Sequence, residues 1–190
     1  MQGKQVIIDA LNTLLSYELA AMDQYFIHSQ MYEDWGYTKL FERINHEFDD
    51  EKGHATLLIQ RMLFLEGQPD MVTRTGYQLG HTVPEMLESD LRVEYEVAEK
   101  LRETVALCER ERDYVTRDML MTLLEDTEMD HAHWLEQQLN LIKTLGLIGG
   151  VYFPVNIETL RDIDAFARDL DLQVVQVSAT TAASHQEVVI

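Results

Sequence analysis

Residues 48–67 read FDDEKGHATLLIQRMLFLEG. In and around this stretch, Ile44, Phe48, Glu51, His54, Leu58, Met62 and Leu65 follow one another at intervals of three or four. That spacing places side chains on one face of an α-helix. Five of these seven positions are apolar and suited to a core. The other two are a carboxylate and an imidazole, which are unfavourable on a buried stripe unless they are paired or hold a metal ion.

Helical periodicity continues on both sides of this segment. It predicts helices over about 5–35, 38–66, 82–111 and 114–145, with Thr82 as an N-cap and Pro84 in the first turn that follows. DMVTRTGYQLGHT, residues 70–82, has no helical period and reads as an extended connection. Four long helices joined by two short turns and one long connection imply an all-α fold. The expected architecture is an antiparallel four-helix bundle with a single long crossover.

Each of the other three helices repeats the anomaly. Glu18 falls on the stripe of Leu11, Leu14, Met22 and Tyr25; Glu94 falls on that of Leu87, Leu91, Ala98 and Leu101. Glu128 and His131 interrupt Met121, Leu124, Leu135 and Ile142. Glu51 follows Glu18 by 33 residues and Glu128 follows Glu94 by 34. The two helix pairs therefore run almost in step, and antiparallel packing brings all six groups to one level. One Glu from each of two helices and a Glu-x-x-His from each of the other two is the known ligand set of di-iron carboxylate bundles. Hard carboxylates that chelate or bridge suit ferrous iron, and imidazoles bind it while leaving positions open for an oxidant. Without metal, the same carboxylates would repel and raise one another's pKa values.

Neighbouring residues extend the candidate list. Tyr25, seven residues after Glu18, is placed to donate an electron or a hydrogen bond to the site. His46 and Asp50, a turn apart, form a candidate further metal site that passes iron onward. His133 points away from His131 and reads as a surface residue, and Cys108 as an inert buried thiol.

The formal charge of −19 disfavours nucleic acid and membranes as partners. No apolar run approaches the ~20 residues of a membrane span, and the N-terminal stretch lacks signal-peptide architecture. With a single cysteine, this points to a soluble, cytoplasmic protein. After residue 146 the character changes. Residues 156–170 form a short amphipathic helix candidate, and a small, polar tail follows. The expected organisation is a bundle over 1–146 and a C-terminal extension over 147–190.

The segments NTLLSYELAAMDQYFIHSQMYEDWGYTKLFERINHEF, DEKGHA, RMLFLEG, VPEMLESDLRVEYE, RDYVTRDML and EDTEMDHAHWLEQQLNLI together resemble a bacterioferritin or closely related bacterial ferritin. The resemblance covers about residues 1–146. It implies a 24-subunit shell around a hollow iron store, with a di-iron ferroxidase centre in each catalytic subunit. Matched by position, Glu18, Glu51 and His54 would hold one iron, and Glu94, Glu128 and His131 the other, with Glu51 and Glu128 bridging. Bacterioferritins bind haem through a methionine directly after the second-helix ligand Glu. Lys52 stands there in this chain, and a lysine ligates iron only after losing its proton, which argues against haem. The family's short fifth helix is also replaced, by GLIGGVYFPVN and the residues beyond it.

The function expected is an iron-storage ferroxidase. It would take Fe(II) with oxygen or hydrogen peroxide as oxidant, oxidise it at the dinuclear centre and deposit ferric mineral inside a homo-oligomeric shell. The alternatives are a haem-free catalytic subunit of a mixed shell with a haem-binding partner, and a di-iron peroxidase.

Overall fold

The computed structural model describes residues 2–145; the expected helix at 156–170 and the tail lie outside the described residues. The first compact unit ends at Asn140. Helix α1 spans Gln5–Asp34, α2 Thr38–Phe64 and α3 Val83–Glu111. The fourth rod divides into α4, Tyr114–Asp126, a π-helical turn, Thr127–Ala132, and α5, His133–Leu145. No strand occurs among the described residues.

Local chemistry sets the boundaries. Gly36, at φ 79°, makes the left-handed step between α1 and α2. Thr82 caps α3 by accepting from the Glu85 amide, with Pro84 at the start of the helix, as the sequence predicts. Arg112 closes α3 in the left-handed region, and Asp113 caps α4 by accepting from Thr116 N. Arg61 on α2 braces this corner, donating to Asp113 Oδ1 at 2.8 Å and Thr116 Oγ1 at 2.7 Å.

Contacts fix the topology. Gly3 N donates to Leu65 O, so α1 and α2 run antiparallel. Lys4 pairs with Glu111, while His28 meets Asp90, so α3 is antiparallel to α1. Pairing of Arg61 with Asp113 and of Arg43 with Asp130 sets the fourth rod antiparallel to α2. Leu11, Leu14, Leu15, Ile44, Leu58, Met62, Leu87, Leu101, Leu120 and Leu123 fill the interior.

The crossover runs back along α1 and is fastened to it repeatedly. Asn12 donates to Gln68 O and accepts from Asp70 N, Thr75 N donates to Ser16 O, and Arg74 pairs with Asp23. Near its end, Gly80 N donates to His28 Nε2 at 3.3 Å. A Cβ at residue 80 would lie 2.3 Å from Met86 N. Only glycine lets the crossover lie this close to the start of α3.

The fourth rod departs from the sequence reading. Its buried positions up to the first residue of the π turn are Thr116, Leu120, Leu123 and Thr127, not Met121 and Leu124. Met121 is exposed and Leu124 half-buried. The extra residue in the wide turn shifts the seam by one position, so His131 and Leu135 rejoin the core beyond it.

Candidate metal centre

Five of the six expected ligands meet in the bundle interior, one seam position from each of α1 and α3, two from α2 and His131 from the π turn. Glu18, Glu51, Glu94, His54 and His131 are all buried. Ligand atoms of Glu18, Glu51 and His54 lie within 4.8 Å of one another, and so do those of Glu51, Glu94 and His131. Glu51 belongs to both groups and lies between them. Its Oε2 is 3.3 Å from His54 Nδ1 and its Oε1 3.0 Å from His131 Nδ1. The two imidazole rings stack at 5.6 Å.

The electrostatics are those of carboxylates held together in a dry interior. Both Glu18 oxygens are buried and lack a hydrogen-bond donor. Burial, with Glu51 and Glu94 nearby, pushes the Glu18 pKa well above the usual carboxylate range. Burial and Glu51 likewise raise Glu94. Glu51 goes the other way: burial would raise it, but hydrogen bonds from His131 and His54 hold it well below the usual range. Burial alone would depress the two histidines. Glu51 and Asp126 instead lift His54 to about 9, and Glu51 and Glu94 lift His131 to about 12. Imidazolium cations thus supply the positive charge that the carboxylates require. Metal ions would do the same, and unsatisfied hard oxygens beside imidazoles are a fitting donor set for iron.

Glu128 does not join the cluster. It sits on the π turn, and its Oε1 accepts from Arg102 Nη2 at 2.6 Å, with the carboxylate 40% exposed. The wide turn puts Thr127, fully buried, on the seam four residues before His131 and leaves Glu128 off it. Tyr25 is buried and donates its phenolic hydrogen to Glu94 Oε1. His46, 60% exposed, and Asp50 face each other at 3.6 Å outside the cluster. His133 is exposed, and Cys108 is buried with its thiol pushed up to about 11. Lys52 is exposed.

Glu47, Asp126 and the His28–Asp90 pair are not evident from the sequence. Glu47, 1% exposed, brings its Oε2 to 3.0 Å from His131 Nε2 as an ion pair, and burial raises its pKa to about 7. With Asp50, Asp130 and His131 it forms a third group able to hold a metal ion. Asp126 is 2.9 Å from His54 Nε2. A turn from Tyr25, His28 Nδ1 meets Asp90 Oδ1 at 2.8 Å, and both residues are fully buried. The signal for Glu47 was available: it precedes Glu51 by four, on the same seam.

Comparison with known proteins agrees with this architecture. The ferritin-like domain family model matches residues 8–145. A bacterial ferritin of Pseudomonas aeruginosa is 57% identical over 147 residues, covering 77% of this chain and 95% of that protein. One from Synechocystis is 56% identical over 147 residues, covering 77% and 94%. A bacterioferritin of Brucella melitensis is 38% identical over 146 residues, covering 77% and 90%. The chain therefore belongs to the ferritin-like family, in the group of bacterial ferritins and bacterioferritins.

Proposed function

We propose that this chain is an iron-storage ferroxidase, oxidising two Fe(II) substrate ions at the Glu18/Glu51/His54 and Glu94/Glu128/His131 positions before storage inside a 24-subunit shell. The observation that carries this reading is the buried convergence of three carboxylates and two imidazoles about Glu51. No ordinary core requires such a group, and family membership supplies the iron-storage context. Glu51 would bridge the two ions, with the other carboxylates offsetting their charge. The histidine protons leave as iron arrives, because only neutral imidazole ligates. Tyr25, hydrogen-bonded to Glu94, would give a single electron to the oxygen or peroxide oxidant and its phenolic proton to that carboxylate, leaving a neutral tyrosyl radical. His46 and Asp50, with Glu47 behind them, would take iron onward.

Anaerobic Fe(II) addition followed by oxidant should show a fast optical phase that saturates at two irons per chain. Sedimentation of the same sample should show a closed assembly. Saturation at one iron, or at none, would overturn the dinuclear reading, and a small oligomer would overturn the shell.

The homo-oligomer should carry no haem. Methionine ligation offers haem iron a soft, neutral sulfur, whereas the corresponding position here holds exposed Lys52. Protein produced with ample haem should lack the Soret band of bis-methionine haem, and Lys52→Met is the substitution to test for its gain. A haem content stoichiometric with pairs of unaltered chains would overturn this. Haem acquired only on co-expression with a methionine-bearing relative would favour the mixed shell.

A further inference from the structure

Among the six residues expected to ligate the dinuclear centre, Glu128 alone lies outside the cluster, and it is held there. Arg102 Nη2 donates to Glu128 Oε1 at 2.6 Å, while Nη1 of the same guanidinium donates to Glu99 Oε2 at 3.2 Å. On the inner side, Glu94 Oε2 has no hydrogen-bond partner and lies 3.5 Å from His131 Nδ1. The Glu18/Glu51/His54 half has its ligands gathered. The other half has Glu94 and His131 and shares Glu51, but its remaining carboxylate is outside.

The backbone offers a route inward. Glu128 lies on the six-residue π turn, where an extra residue has displaced the seam. Moving that extra residue one position along the rod turns the residues it passes by about 100°, the angular step of an α-helix. Such a step would bring Glu128 into the interior, and it requires the Arg102 pair to open.

We propose that the Arg102–Glu128 ion pair is a latch that withholds Glu128 from the Glu94/His131 metal position, so that the second metal ion binds more weakly than the first until the pair opens. Arg102 is a positioning residue that touches no metal itself. This inference rests on the two-metal reading of the centre.

Metal-free, assembled protein titrated anaerobically with Co(II) gives both affinities from its visible absorption, without turnover. The unaltered protein should bind two Co(II) per chain, the second more weakly. Arg102 and Glu128 are half-exposed, so their pair is worth little, and Arg102→Gln should tighten the second site about two- to fivefold. The first affinity should not change. A through-space loss of positive charge would instead strengthen both sites, because they share Glu51, and that result would overturn the latch. An unmoved second affinity would overturn the latch alone. A single Co(II) per unaltered chain would overturn the two-metal reading and the latch with it.

Discussion

Glu18→Gln should abolish the fast phase of Fe(II) oxidation and yet raise the melting temperature of the metal-free protein. Both effects come from one property: Glu18 is fully buried and neither of its oxygens has a donor. As a ligand it would supply charge and chelation that an amide cannot. Losing a residue that merely orients a metal ligand costs about 10–100-fold, so losing a ligand should cost at least that. In the metal-free protein, by contrast, ionising Glu18 beside Glu51 and Glu94 is unfavourable. An amide of the same size leaves no cavity and needs neither the ionisation nor the proton uptake that burying Glu18 requires. Relief of an unsatisfied buried group is worth about 1–3 kcal/mol, and each kilocalorie moves the midpoint of a domain of this size by about 2–4 °C. Calorimetry in chelator and stopped-flow oxidation test the two halves separately. A retained fast phase would remove Glu18 from the site, and a lowered midpoint would refute the electrostatic account.

Metal-free protein should lose stability as the pH rises from 6.5 to beyond 9, and a bound divalent ion should reverse that slope. His54 has a folded pKa of about 9 and His131 of about 12, against 6.5 for an ordinary imidazole. Between those values the folded chain binds more protons than the unfolded chain, so stability falls with pH. It is fully present below 6.5, and the His54 share is lost through about 9. Glu18 and Glu94, raised above the ordinary carboxylate range, act in the same direction. Glu47, at about 7, adds to the fall at the lower end of the window. Glu51 has the opposite sign, but its share is lost only in acid. The His54 shift alone corresponds to on the order of 3 kcal/mol, or roughly 10 °C in midpoint. A redox-inert ion such as Zn(II) prefers neutral imidazoles, so its stabilisation should grow over the same interval. Scans at pH 6, 7.5 and 9.5, with chelator and with Zn(II), measure both slopes. A flat metal-free profile would contradict the ion pairing, and parallel slopes would contradict ligation by the histidines.

The helices were legible because their seams are long and periodic. The first three run Gln5–Asp34, Thr38–Phe64 and Val83–Glu111, within a residue or two of expectation. Convergence of Glu18, Glu51, His54 and Glu94 was legible for the same reason, since a polar residue on an otherwise apolar stripe is visible in one dimension. The π turn was not. Thr127–Ala132 carries no composition that separates it from an α-helix, and one inserted residue moves every seam assignment upstream of it. Extrapolating a straight helix therefore put Met121 and Leu124 inside and Glu128 beside His131. The His28–Asp90 pair is not legible in one dimension because its members lie on different helices, and neither stands out without its partner. The apolar period selects Phe48 for the seam, whereas the structure leaves Phe48 half-buried and buries Glu47 beside it.

The crossover also acts as a ruler. It joins a helical hairpin carrying Glu18, Glu51 and His54 to a second one carrying Glu94 and His131. Two greasy rods can slide past each other by one turn, about 5.4 Å, and still bury similar surface. The cluster of carboxylates and imidazoles does not survive such a slip. Apolar packing is nearly degenerate in that coordinate, whereas the fastenings at Asn12, Ser16, Asp23 and His28 are discrete. They pin the strap to α1 along most of its length, and Gly80 then delivers the start of α3 at one fixed height. The alignment of the two halves of the centre is thus stored in a connecting segment that contributes no ligand to it.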